Sequence, residues 1–293
     1  MNEPGFMQVL SQTPLLQRAL AAGALAGASC AILSPLVVLR RMSFIGDGMA
    51  HAAFGGIGLA LFLLSGANYD DPMIKLITMA FCLTLGISIA YVSRGGDTER
   101  LAEDSAIGIA FSVSMALGAL FLKLRQSSNP QYVTSMDVFL FGSMLNISPG
   151  DVWLLAGLSV TVLACMIVLQ KEMLFYTFNA RLAEASGLNV GVFHYLFMIL
   201  LVVTVVTSSR LVGIILVSAS LVLPGVTGLK VASRLAPAML VAVAAGASSF
   251  VFGTFAAYTF DVPSGSAIIL IQFAYLLLAS VLHALKTRHR STH

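Results

Sequence analysis

The sequence predicts an all-α polytopic membrane protein, a bundle of about nine transmembrane helices. Its 293 residues are 58% hydrophobic and only 10% charged, with a mean hydropathy of +0.93. An average soluble domain is about 25% charged. The apolar residues lie in long runs, and roughly 20 such residues cross the hydrocarbon core of a bilayer. Since the polar stretches are only loops, residues 1–293 are expected to form a single transmembrane domain.

Nine apolar runs are bounded by charged or turn residues and are long enough to span the bilayer as helices. The predicted spans are 17–39, 46–64, 73–92, 104–123, 150–170, 191–209, 211–229, 237–259 and 265–285. The run 211–229 carries Pro224, Gly225 and Gly228, which predict a kink or a break in that helix. The segment VFLFGSML, within 130–149, is too short to span and is a candidate re-entrant or interfacial piece.

The positive residues predict the orientation, because cytoplasmic loops carry an excess of Lys and Arg. With nine spans, 11 of the 16 Lys and Arg residues fall on the side of the C-terminal tail and of the loops at 40–46, 93–103, 171–190 and 230–236. That side is expected to be cytoplasmic. The N-terminus is then outside and the C-terminus is inside.

The stretch SFIGDGMAHAAFGGIG, residues 43–58, holds two ionisable residues at membrane depth. Asp47 and His51 are four positions apart, so a helix places them on one face. His51 lies ten residues after Arg41, which is roughly 15 Å along a helix. Ionisable groups at this depth are costly and usually mark a pathway or a site. A carboxylate with an imidazole suits an ion such as Zn²⁺ or Mn²⁺; hydrogen bonding within the bundle is the alternative.

The segment 175–194 interrupts two spans on the predicted cytoplasmic side and mixes polar with apolar residues. Residues 180–186 are predicted to form a short helix with Asn179 as its N-cap and Gly187 as its stop. This helix either lies on the membrane surface or docks a cytoplasmic partner. The residues alone leave both interpretations open.

The absence of three common motifs argues against ATP binding by a P-loop and against two common classes of hydrolase. The sequence contains no GxxxxGK[ST], HExxH or GxSxG pattern. If transport is driven by ATP, another subunit must hydrolyse it. Asp261 lies in the external turn YTFDVPSG, where a turn role is expected and recruitment of cations is the alternative.

Several blocks of the chain together resemble the permease family of metal-ion ABC importers, the zinc, manganese and iron group. They are VVLRRMSFIGDGMAHAAFGGIGLAL (37–61), EDSAIGIAFSVSMALGAL (103–120), FNARLAEASGLNV (178–190) and LVGIILVSASLVLPGVTGLKVASRL (211–235), joined by DVPSGSAIIL (261–270). The blocks occur in the family's order. The resemblance runs from about residue 16 to residue 285, nearly the whole chain.

The resemblance implies the fold of the vitamin B12-type (type II) importers, set among the lipids of a bacterial cytoplasmic (inner) membrane. It implies two permease chains, cytoplasmic ATP-binding cassette subunits and an extracytoplasmic solute-binding protein that carries the metal, with no nucleic acid partner. Asp47 and His51 match the family's pathway metal ligands. The block 178–190 is similar to the helix that couples to the ATPase, which implies coupling roles for Asn179, Arg181, Glu184, Ser186 and Gly187.

The leading hypothesis is therefore that the chain is the permease subunit of an ATP-driven importer, and that a separate subunit hydrolyses ATP. A divalent metal is expected as the transported ion and not as a tightly bound cofactor. Some zinc-type members carry a histidine in the block that corresponds to 108–114, which reads GIAFSVS here, so manganese and iron stay open beside zinc. An ion-coupled secondary transporter is one alternative and predicts paired discontinuous helices. An intramembrane metalloenzyme is another, and it needs a third ligand and an activated water.

Overall fold

The computed structural model describes residues 12–64, 71–92, 100–128 and 147–290, and this part of the chain is almost entirely helical. In chain order the helices are α1 (Pro14–Leu39), α2 (Ile45–Leu63), α3 (Pro72–Val92), α4 (Arg100–Ser128), α5 (Pro149–Val168), α6 (Gln170–Phe178), α7 (Ala180–Ala185), α8 (Val190–Val212), α9 (Ile214–Ser220), α10 (Leu223–Val231), α11 (Leu235–Phe260) and α12 (Ser264–Arg290).

Nine helical segments of the described chain are long and apolar enough to cross a membrane, so the prediction of a nine-span all-α bundle is confirmed there. Their ends follow local capping chemistry. Pro14 occupies the first turn of α1, where its missing N–H costs nothing. Ser148 and Asp151 form a reciprocal capping box at the start of α5. The candidate re-entrant segment VFLFGSML lies outside the described residues, which resume at 147.

The predicted break in the seventh span is confirmed, and the span divides into α9 and α10. Gly213, with φ of +96°, separates α8 from α9, a backbone conformation that favours glycine. The helix stops at Ser220 and resumes at Leu223, with Pro224 in the first turn of α10. Proline is tolerated at that position because the first N–H groups of a helix have no intrahelical acceptor.

The first two spans form the centre of the bundle and others form its edge. In their most apolar windows, α1 is 72% buried and α2 is 78% buried, whereas α4 and α12 are 17% buried. Small residues let the central helices approach closely. The ring of Phe250 on α11 covers Gly23 and Gly27 of α1, and a Cβ at Gly55 of α2 would stand 2.6 Å from the carbonyl oxygen of Ser114. Asp47 and His51 therefore lie on a helix that is itself largely buried.

Candidate functional site

Asp47 and His51 lie one turn apart on α2, as their spacing predicts. Asp47 is in the first turn, where the helix dipole favours a carboxylate. Nε2 of His51 is 3.6 Å from Oδ1 of Asp47. A tetrahedral ion with bonds of about 2.1 Å holds two neighbouring donor atoms roughly 3.4 Å apart. The pair thus has the spacing of two ligands that share one ion.

Two neighbouring helices restrain these side chains. The hydroxyl of Ser218, on α9, lies 3.3 Å from Oδ1 of Asp47 and can donate a hydrogen bond to it. The same hydroxyl also lies 3.1 Å from the carbonyl oxygen of Ile214. The ring of Phe111, on α4, meets the His51 ring edge to face, with centroids 4.7 Å apart. The pair is therefore held from two sides, by α9 and by α4.

A pocket of about 350 Å³ opens beside the carboxylate. It is lined by Phe44, Asp47, Gly48, Ile107, Gly108 and Phe111. The side chain of Asp47 is 49% exposed and that of His51 is 16% exposed, so the carboxylate is more open than the imidazole behind it. Phe44 at the rim is 72% exposed. An ion or a second protein surface could reach Asp47 from this side.

The ligand set within the chain is incomplete. No group of three or more His, Cys, Asp or Glu side chains in the described residues could hold a metal ion together. A closed zinc site takes four ligands, and Mn²⁺ sites are commonly octahedral. Asp47 and His51 can therefore hold an ion only in part, with water or another chain supplying the remaining ligands.

The predicted docking helix is α7, and both of its predicted ends are confirmed. Oδ1 of Asn179 accepts a hydrogen bond of 3.0 Å from the backbone N–H of Leu182, which is an N-cap. Gly187 has φ of +90°, and the backbone N–H of Leu188 donates to the carbonyl of Ala183 at 3.1 Å. This is a Schellman ending, which glycine favours because it adopts positive φ without strain.

Most of α7 faces outward. Ala183 is fully buried and anchors the helix, while Leu182 is 55% exposed and the preceding Phe178 is 67% exposed. The predicted coupling residues on the exposed surface are Asn179, Glu184, Ser186 and Gly187. The side chain of Arg181 lies outside the described atoms. A short capped helix with exposed apolar and acidic residues is a suitable docking surface.

Asp261 is the exposed C-cap of α11 and adopts a left-handed conformation, with φ of +51°. It therefore lies in a turn, as the sequence predicts. None of the described contacts joins it to Asp47 or His51.

Sequence reasoning missed Ser218 and Phe111. Each lies in an otherwise apolar helix, where one serine or one phenylalanine gives no chemical signal. The contact between Ser218 and Asp47 joins residues 171 positions apart, which local periodicity cannot reveal. Helical spacing could have pointed to Phe111, because Ile107 and Phe111 are four apart on α4 and line the same pocket.

Comparison with known proteins agrees with the resemblance to permeases of metal-ion ABC importers. The model of the ABC 3 transport family matches residues 12–283. The manganese import system permease protein ScaB of Streptococcus gordonii is 35% identical over 284 residues, which cover 97% of this chain and 96% of that protein. A protein of Haemophilus influenzae named probable iron transport system membrane protein is 30% identical, over 94% of this chain and 97% of its own length.

A solved structure also resembles this one. PsaBC from Streptococcus pneumoniae in complex with Fab aligns with a TM-score of 0.77 at 29% identity, over 94% of both chains. The nearly all-helical bundle of the described residues therefore has the fold of an ABC transporter permease, and the predicted fold class is confirmed.

Proposed function

Because the chain belongs to the ABC 3 transport family, we propose that it is the membrane-spanning permease subunit of an ATP-driven importer of a divalent metal ion: manganese, zinc or iron. The observation that carries the proposal is the Asp47–His51 pair on a helix of a polytopic bundle, with Asp47 lining an open pocket. A carboxylate and an imidazole together bind such ions. Relatives over nearly the whole chain are named for manganese and iron transport.

A second permease chain, identical or related, would complete the pathway. Each chain offers two ligands, so two chains facing each other across the pocket would surround one ion with two carboxylates and two imidazoles. An exposed apolar residue at the pocket rim supports this arrangement, since Phe44 lines the pocket and is 72% exposed. A site built from two chains can also release its ion when the chains move apart, as a transporter requires.

The exposed helix α7 would dock a cytoplasmic ATP-binding cassette subunit, since the chain has no phosphate-binding loop of its own. That assignment places the C-terminus in the cytoplasm and the N-terminus outside, in a bacterial inner membrane. A solute-binding protein would deliver the metal on the outer side, where the exposed Asp261 would help to recruit cations.

Glu184→Arg reverses a charge on α7 and is expected to abolish co-purification with the ATPase while the permease stays folded. Intact co-purification would refute the docking role.

No observation supports the two alternatives, an ion-coupled secondary transporter and an intramembrane metalloenzyme. A secondary transporter with inverted repeats predicts matching breaks in both halves. In the described chain, α9–α10 is the broken span and no counterpart is found in the first half. An intramembrane enzyme needs a third protein ligand beside Asp47 and His51, and the described residues offer none.

ATP-dependent uptake tests the proposal directly. The chain is co-expressed with its ATPase and binding protein, reconstituted in liposomes and supplied with Mn²⁺, Zn²⁺ or Fe²⁺. Uptake is expected for at least one ion and is expected to vanish in Asp47→Ala/His51→Ala, while His283→Ala, which removes an exposed imidazole outside the pocket, transports normally. Absence of ATP-dependent metal uptake by the assembled wild type would refute the importer, and normal uptake by the double variant would refute the ligands.

A further inference from the structure

A buried polar cluster joins four helices beside α7. The Arg40 guanidinium lies over the ring of Tyr176, with Cζ 4.0 Å from the ring centroid, and Nη1 donates a hydrogen bond of 3.4 Å to the carbonyl of Tyr176. The hydroxyl of Tyr176 lies 2.5 Å from Nδ1 of His194. Nε2 of His194 lies 3.2 Å from the carbonyl oxygen of Ala90. We call Arg40, Tyr176, His194 and Ala90 the Tyr176 cluster.

The donor and the acceptor of each hydrogen bond between these side chains can be assigned. A carbonyl oxygen only accepts, so Nε2 of His194 donates to Ala90. In a neutral imidazole Nδ1 is then the acceptor, and the hydroxyl of Tyr176 donates to it. Tyr176 is 2% exposed and His194 is 4% exposed. The hydrogen bond between them is therefore buried, where breaking it costs more than at the surface, so the two side chains are expected to move together.

One end of the cluster adjoins the docking helix. Tyr176 lies in the last turn of α6, immediately before the N-cap of α7 at Asn179. The hydroxyl of the neighbouring Thr177 donates to the carbonyl of Met173, one turn earlier in α6, at 2.6 Å. A displacement of α7 therefore reaches the Tyr176 ring and carbonyl through a short, hydrogen-bonded segment.

The other end of the cluster adjoins the helix that carries the candidate metal ligands. Arg40 is the C-cap of α1, and the backbone N–H groups of Arg41 and Met42 donate to the carbonyls of Val38 and Val37 at 3.0 Å each. These two bonds form a Schellman turn that leads into α2. The turn is short and fully bonded, so a movement of Arg40 is passed on to the start of α2, where Asp47 lies.

We propose that Arg40 is a positioning residue that couples α7 to the start of α2, with Tyr176 and His194 as the pivot between them. The proposal rests on the proposed function, because it assumes that α7 docks the ATPase and that Asp47 binds the transported ion. ATPase closure would move α7, the Tyr176 ring would carry the Arg40 guanidinium with it, and the Schellman turn would shift Asp47 relative to the facing chain. Arg40 touches no ion in this scheme.

The test compares Arg40→Lys with Arg41→Lys in the full reconstituted transporter. Lysine keeps the charge of Arg40 but loses the planar group that stacks on the ring and donates to the carbonyl. Arg41 lies in the same turn with its side chain exposed, so its replacement is the matched control. The measured quantity is the number of metal ions taken up per ATP hydrolysed.

Arg40→Lys is expected to assemble and to hydrolyse ATP, with uptake per ATP reduced at least fivefold, while Arg41→Lys keeps the wild-type ratio. A wild-type ratio in Arg40→Lys would overturn the proposal. If Arg40→Lys does not assemble, Tyr176→Leu decides by the same ratio, because it removes the ring under the guanidinium together with the hydroxyl bonded to His194; a wild-type ratio there would also overturn the proposal. A wild type that takes up no metal would instead refute the proposed function.

Discussion

Two regions of this bundle differ sharply in the space around their glycines. On α10, a Cβ at Gly228 would collide with the carbonyl oxygen of Ala238 on α11, and one at Gly225 would collide with Ser34 of α1. On α4, a Cβ at Gly108 would meet no heavy atom within 4 Å, although Gly108 lines the pocket beside Asp47. One region is packed to the limit within a single chain, and the other is open.

The difference separates a densely packed scaffold from the side to which the proposed function assigns transport. Helices whose backbones touch through glycine form a dense unit that resists displacement. The broken span is anchored to that unit, because the backbone N–H of Gly225 donates to Oγ of Ser34 at 2.8 Å. The open side lies next to the ionisable pair, where the proposed function requires room for an ion and a second chain.

The largest effect is expected from filling the closed contact. Gly228→Ala should lower the free energy of unfolding by about 2 kcal/mol or more, because the added methyl group forces two backbones apart. Gly157→Ala on α5 is the control, since its Cβ would meet nothing within 4 Å. Thermal unfolding of the purified permease measures both. Equal midpoints for the two variants would show that the α10–α11 contact is not a rigid scaffold.

A larger side chain on the open side should reduce metal uptake without lowering the stability of the single chain. Gly108→Leu is expected to leave the unfolding midpoint of the single chain close to that of wild type, because the side chain has room there. It should nevertheless cut metal uptake by roughly tenfold or more, as overpacking in a filled interface costs about 1–3 kcal/mol. Gly157→Leu serves as the control. Normal uptake by Gly108→Leu would indicate that lipid, rather than a second chain, covers this side.

The smallest effect concerns the contact between α9 and the carboxylate. Ser218→Ala removes one hydroxyl that can donate to Asp47 and should weaken metal binding by about 1 kcal/mol, roughly fivefold. Ser218→Thr keeps the hydroxyl and is expected to bind nearly as the wild type does. Titration of Mn²⁺ into the purified permease measures the difference. Unchanged affinity in Ser218→Ala would show that the hydroxyl prefers the Ile214 carbonyl and does not orient the ligand.

The fold was predictable because its signals are local. Each span is a run of apolar residues, and the break between Ser220 and Leu223 follows from a proline that suits the first turn of a helix. The caps of α7 at Asn179 and Gly187 were predictable for the same reason, since each depends on neighbouring residues alone.

The site was predictable only as far as one helix reaches. Asp47 and His51 share a face because they are four apart, and sequence spacing states this directly. Ser218, Phe111 and the partners of Tyr176 come from other helices, so their contacts depend on how the helices pack. Among the described residues of one chain, no third His, Cys, Asp or Glu joins Asp47 and His51 as a possible metal ligand.

Under the proposed function, Asp47 and His51 form half of a metal site shared by two permease chains. The most direct measurement is the amount of Mn²⁺ retained by the purified permease assembly, determined by equilibrium dialysis and elemental analysis. One ion per two permease chains is predicted, and this ion should be lost in Asp47→Ala/His51→Ala. One ion per chain, or unchanged binding in the double variant, would contradict the claim.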